Sequence, residues 1–72
     1  MTYEEFRNTV FKELENCPKS WRKGQAVFNV LDILPEYKNV ARRVQFEDGI
    51  DCFYNDNAID SFLLYAWYHL NE

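Results

Sequence analysis

The side chains in this sequence that could do covalent or metal chemistry are few: two cysteines, Cys17 and Cys52, and one histidine, His69. A nucleophile needs a general base within hydrogen-bond reach, and nothing in the spacing of these three brings them together. Cys17 stands at a helix end before Pro18, and Cys52 is expected to point inward. His69 flanks an apolar stripe near a helix C-terminus, where a cation is mildly favoured. Metal-ligand spacing of the Cys/His kind is missing. With Gly24 and Gly49 as the only glycines, there is no glycine-rich phosphate loop. Asp56 and Asp60, at i and i+4, belong to the first turn of a helix, whose dipole stabilises them there. The chain is therefore read as a non-enzyme, with no catalytic residue, cofactor or metal.

Recognition chemistry has more to work with. On a helix, Arg22, Gln25, Asn29 and Asp32 fall within an arc of roughly 80°, and Asp51 in a following hairpin is placed to reach it. An Arg–Asp pair can be bidentate, and Gln and Asn can satisfy backbone groups. Arg22, Gln25, Asn29 and Asp51 are thus either a partly buried polar network that docks the hairpin or a small recognition site for a ligand or partner. A second set is Leu64, Tyr65 and Tyr68, which fall on the outer side of the last helix. They are either scattered surface apolar residues or, because adjacent exposed side chains at i and i+4 make a patch, an interface. A third set is basic: Lys19, Arg22, Lys23, Lys38, Arg42 and Arg43, with Trp21 or Tyr37 available to stack on bases.

These residues need elements to position them. Thr2 followed by Glu5 fits a capping box, and Tyr3, Phe6, Val10, Leu14 and Cys17 recur at helical spacing; a helix is expected over residues 2–16, stopped by Pro18. Ser20 is placed to cap a second helix over residues 21–34, ending before Pro35. That helix is apolar around most of its circumference, so it should be the central, buried one. Gly24 costs about 1 kcal/mol against alanine in a helix, which points to a close backbone approach by a neighbour. Residues 35–43 suit either a short helix or an extended run. From about residue 42 to 54 the pattern predicts a β-hairpin with a Glu47-Asp48-Gly49 loop, placing Val44, Phe46, Ile50 and Cys52 on one face. Asn55 or Asp56 caps a last helix over residues 56–71, whose core stripe is Ile59, Phe62, Leu63, Ala66, Trp67 and Leu70. The expected fold class is α+β in the order α-α-β-β-α, one domain, with helix 2 packed by helices 1 and 3 and the hairpin.

Seventy-two residues leave no room for a second core. Thirteen Phe, Tyr and Trp residues, each able to remove roughly 150–250 Å² from water, let so short a chain fold without staples. The N-terminus is acidic where a signal peptide needs positive charge, and the longest apolar stretch falls far short of the ~20 residues that span a bilayer. A cytoplasmic location, with no membrane partner, is the expectation. The net charge of −4 argues against non-specific nucleic-acid binding. The distribution is uneven: residues 19–43 carry a local excess of cations, whereas residues 44–72 contain no Lys or Arg and six acids. Either the two halves attract each other within the fold, or the basic face serves an acidic partner.

Two segments carry a likeness. Arg22-x-Gly24-Gln25-x-x-x-Asn29-x-Leu31, followed by Asp51-Cys52-Phe53-Tyr54-Asn55-Asp56 with Ile59 and Phe62, resembles a group of small proteins of phages, prophages and bacteria. The likeness spans residues 21–62. In that pattern Cys52 is often proline and Asn55 often Asp, which removes both as candidates for essential chemistry. The resemblance implies a phage or mobile-element source, with the host cytoplasm as the setting, and no activity. The expected function is a small protein–protein interaction module, plausible for a phage accessory factor acting on a host or phage protein. The alternatives are a nucleic-acid-binding module using the basic segment and a homo-oligomeric structural subunit.

Overall fold

The computed structural model describes residues 1–37 and 39–72, so Lys38 of the basic set lies outside the described residues. Among them are four α-helices and no strand: α1 (Tyr3–Glu13), α2 (Lys23–Ile33), α3 (Val40–Glu47) and α4 (Ile59–Leu70). Short 3-10 turns follow α1 at Leu14–Asn16, follow α2 at Pro35–Tyr37 and precede α4 at Asp56–Ala58. The chain is all-α, and the expected α+β class is overturned.

α1 starts as its sequence dictates. The Glu5 amide donates to Thr2 Oγ1 at 3.1 Å and the Thr2 amide to Glu5 Oε1 at 2.9 Å, closing the capping box. α2 starts two residues later than expected, with Arg22 rather than Ser20 at its N-cap. It ends before Pro35, with Leu34 extended at ψ 123°, as the residue before a proline must be. Its central role is as expected: Gly24, Ala26, Val27, Phe28, Val30 and Leu31 are all buried.

The hairpin expected over residues 42–54 is instead α3 followed by an irregular segment. Val40, Ala41 and Val44 are buried at the i, i+1, i+4 spacing of a helix, while Phe46 is 78% exposed. A hairpin would have buried Val44 and Phe46 together. Gly49 does take the left-handed φ that its sequence signals, at 68°, but as a helix terminator rather than a loop residue. The chain turns back there, with the Ile50 amide donating to the Val44 carbonyl at 3.3 Å.

The core sits where α2 meets α1, α3 and α4, and aromatic rings build much of it. At one end Phe6 meets Tyr37 edge-on at 5.2 Å and Trp67 at 5.5 Å, with Tyr3 against Trp67. At the other, Phe28 lies 5.7 Å from both Phe53 and Phe62. A fully buried Phe such as Phe6 or Phe62 contributes roughly 1.5–3 kcal/mol relative to exposure. Both cysteines are free.

Candidate functional site

The start of α2 and the segment 51–57 fold onto each other at Gly24. A Cβ on Gly24 would stand 2.1 Å from the Cys52 carbonyl oxygen, so only glycine permits the approach. Three bonds hold the junction. The Gly24 amide donates to Asp56 Oδ1 at 2.9 Å, the Cys52 thiol to the Gly24 carbonyl at 3.3 Å, and the Arg22 guanidinium to the Phe53 carbonyl. Within the segment, Asp51 Oδ1 accepts from the Phe53 amide at 2.8 Å and Asn55 Oδ1 from the Asn57 amide at 3.0 Å, the side-chain turns these residue types favour. The result presses the Phe53 ring against Phe28 and leaves Tyr54 77% exposed, with the Arg22 guanidinium 5.9 Å from its ring.

The polar set read from the sequence therefore comes together only in part. Arg22 does dock the following segment, but on a backbone carbonyl; Asp51 instead accepts from Gln45 Nε2 at 3.1 Å. Gln25 reaches back to the Arg22 amide at 3.4 Å, half of a capping box. Asn29 lies within α2 and is half-buried, and its side chain forms no hydrogen bond with the described residues. Beside Arg22 lies an open cavity of about 240 Å³ lined by Phe28, Arg42, Gln45, Phe53 and Tyr54.

Leu64, Tyr65 and Tyr68 are all exposed on the outer face of α4, Tyr68 at 57%. The two tyrosine rings meet edge-on at 6.0 Å, and Leu64 stands one helical turn before Tyr68 on α4, so the three side chains fall on one stretch of surface. Arg7 binds Asp60 at the start of this helix at 3.1 Å, and Arg43 binds Glu72 just beyond its end at 3.1 Å.

The basic set is dispersed. Arg42 pairs with Asp32 through both Nε and Nη2, and Arg43 is engaged by Glu47 and Glu72. Lys23 lies over the Phe11 ring at 5.1 Å, while Lys19 is exposed. Tyr37 is buried against Phe6 and so is not presented for stacking. Trp21 is half-buried in a shallow apolar groove with Cys17, Pro18 and Ile33.

The nucleophile candidates are equally separated. Cys52 is buried, and loss of water around it pushes its thiol up to about 12, the wrong direction for a reactive thiolate. His69 lies between Asp48 and Glu72, with Nε2 2.6 Å from Asp48 Oδ2. Among the described residues no cluster of His, Cys, Asp and Glu is arranged to hold a metal ion, and no helix is long and apolar enough to cross a membrane.

Sequence reasoning missed Phe46, Tyr54 and the Asp48–His69 contact. The first was hidden by the hairpin register, which turned it inward. The last joins the C-terminal ends of α3 and α4 across 21 residues, a pairing that no local spacing signals. Comparison with protein-family models, with curated proteins and with solved structures returned no match.

Proposed function

We propose that this chain is a small protein–protein interaction module that engages its partner through the outer face of α4. The accessory role of a phage or mobile-element protein, acting on a host or phage protein, is the setting its sequence pattern suggests. The observation that carries the reading is the contiguous patch of Leu64, Tyr65 and Tyr68. Tyrosine is favoured at such surfaces because a large apolar ring is combined with a hydroxyl that tolerates water. Packing of α4 does not require these three side chains, since Ile59, Phe62, Leu63 and Ala66 already bury its inner face.

The test is capture from a bacterial lysate, infected where a phage is known, with nuclease present. The bait is compared with its Leu64→Glu/Tyr68→Glu variant, after circular dichroism has established that the variant folds. A nuclease-resistant protein retained by the wild type and lost by the variant supports the reading. Identical captures by both baits, or a capture abolished by nuclease, would refute it. If only the bait returns, sedimentation of both proteins decides whether a second copy is the partner: self-association abolished by the variant keeps the α4 face as the interface.

A further inference from the structure

The chain has four arginines, and three of them are paired with carboxylates: Arg7 with Asp60, Arg42 with Asp32, and Arg43 with Glu47 and Glu72. Arg22 has no carboxylate partner among the described residues, in a chain with twelve acids. Its guanidinium is nevertheless held in place, by the Phe53 carbonyl at one Nη and by the Tyr54 ring. One N–H of five is spent on that carbonyl, so a fixed cation is left with an open edge. Fixing it in advance removes part of the ordering cost that an exposed arginine incurs on binding.

Phe53 and Tyr54, which hold Arg22, also line the cavity of about 240 Å³ between α2, α3 and the 51–57 segment. Two of its lining rings, Phe28 and Phe53, meet edge-on at 5.7 Å. That volume lies below the roughly 300–1,000 Å³ of small-molecule sites and suits a single side chain. The carboxylates on the surrounding elements are committed: Asp32 to Nε and Nη2 of Arg42, Asp51 to Gln45 and the Phe53 amide, Asp56 to the Gly24 amide. Gln45 on the cavity wall adds a carboxamide, and Arg42 on the same wall is held by Asp32.

We propose that Arg22, Tyr54 and this cavity form a receptor for an acidic peptide segment of a partner protein, with an aromatic or large aliphatic side chain in the cavity and a neighbouring carboxylate on the guanidinium. Charge complementarity selects the carboxylate, and geometry permits a bidentate pairing. An extended polyanion needs several cations along one track and is disfavoured by the dispersal and carboxylate pairing of the remaining arginines. This face shares no residue with the patch on α4 and is independent of it.

The test is an NMR titration of the full chain with three short capped peptides, Glu-Phe-Glu, Gln-Phe-Gln and Lys-Phe-Lys, and with a thymidine oligonucleotide. The acidic peptide should shift the Arg22 side-chain signal and the Phe28, Phe53 and Tyr54 rings together. It should bind at least about tenfold more tightly than the glutamine peptide and weaken as salt is raised. Tyr54→Ala removes an exposed ring without disturbing the core and should weaken both peptides. Arg22→Lys keeps the charge but not the planar fork, and should lose most of the preference for glutamate over glutamine. Equal binding of the acidic and neutral peptides, shifts located elsewhere, no shifts at concentrations up to roughly 10 mM, or tighter binding of the oligonucleotide at the same residues would each overturn the proposal.

Discussion

Both ring nitrogens of His69 face carboxylate oxygens, Nε2 at 2.6 Å from Asp48 and Nδ1 at 3.1 Å from Glu72. An ionised carboxylate only accepts, so both bonds are made at once only when the imidazole is protonated. The hydrogen bond to Asp48 is the main influence, and with the weaker one to Glu72 it raises the His69 pKa above its ordinary 6.5. Burial and the nearby Arg43 charge oppose the rise without reversing it. Glu72 moves the opposite way, held below its ordinary 4.5 by Arg43 and then by His69. A raised histidine contributes its full stabilisation below pH 6.5 and loses it as pH climbs through the folded value. A lowered glutamate contributes above pH 4.5 and loses its share as pH falls through the folded value. This clasp between the C-terminal ends of α3 and α4 is therefore complete between about pH 4.5 and 6.5.

The magnitude rests almost wholly on Asp48. Its side chain and that of His69 are 19% and 11% exposed, whereas Glu72 is mostly in water and shared with Arg43. A hydrogen bond to a charged group is worth about 1.5–3 kcal/mol, and partial access of water favours the lower end. His69→Gln keeps one donor but loses the charge. It should cost about 1.5 kcal/mol at pH 5.5, or roughly 6–12 °C in Tm for a domain of this size. The gap between wild type and variant should narrow at pH 8.5, where the wild type has also lost the proton. Urea or thermal unfolding of both proteins at the two pH values gives the comparison, and a titration of the imidazole signals gives the histidine pKa directly. A histidine that titrates at or below 6.5, or a stability gap that is equal or larger at pH 8.5, would refute the reasoning.

Gly24→Ala should destabilise by about 3 kcal/mol in urea unfolding, because the new Cβ overlaps the Cys52 carbonyl oxygen. Helix propensity alone predicts a gain of about 1 kcal/mol, so the sign of the change tests the junction. Phe46→Gln should change stability by less than about 0.5 kcal/mol, as expected for an exposed site; a loss of several kcal/mol would restore the buried hairpin register. In a thiol-reagent assay at pH 8 the native protein should expose Cys17 first, because Cys52 is buried and its thiol is pushed up to about 12. Both should react once the chain is unfolded in urea, and fast native reaction of two thiols would contradict the burial.

What the sequence made legible was local or sterically absolute. The Thr2–Glu5 box spans one turn, and the stop before Pro35 needs only the proline ring. Gly24 announced a close approach because nothing else accounts for a glycine in so apolar a helix. The patch on α4 was legible because twelve helical residues fix which side chains share a face. The stretch 40–54 failed for the converse reason. α3 has eight residues, too few for its periodicity to outweigh the alternating Val44, Phe46, Ile50 and Cys52. A left-handed glycine serves a hairpin loop and a helix end equally well, so Gly49 could not arbitrate. The decision was tertiary: Val40, Ala41 and Val44 find burial against neighbouring elements as a helix, and that outweighs leaving Phe46 in water. The same error scattered the site. With Asp48 placed at a loop tip, it could not be matched to His69, and with Asp51 in a strand, Arg22 was paired to a carboxylate that in fact shapes its own turn. Arg22 and the 51–56 segment were correctly brought into one neighbourhood, while the partner within it was not. Because Arg22 settles on a carbonyl instead, its charge meets no carboxylate among the described residues, and the recognition role proposed for it rests on that contact rather than on the pairing expected from the sequence.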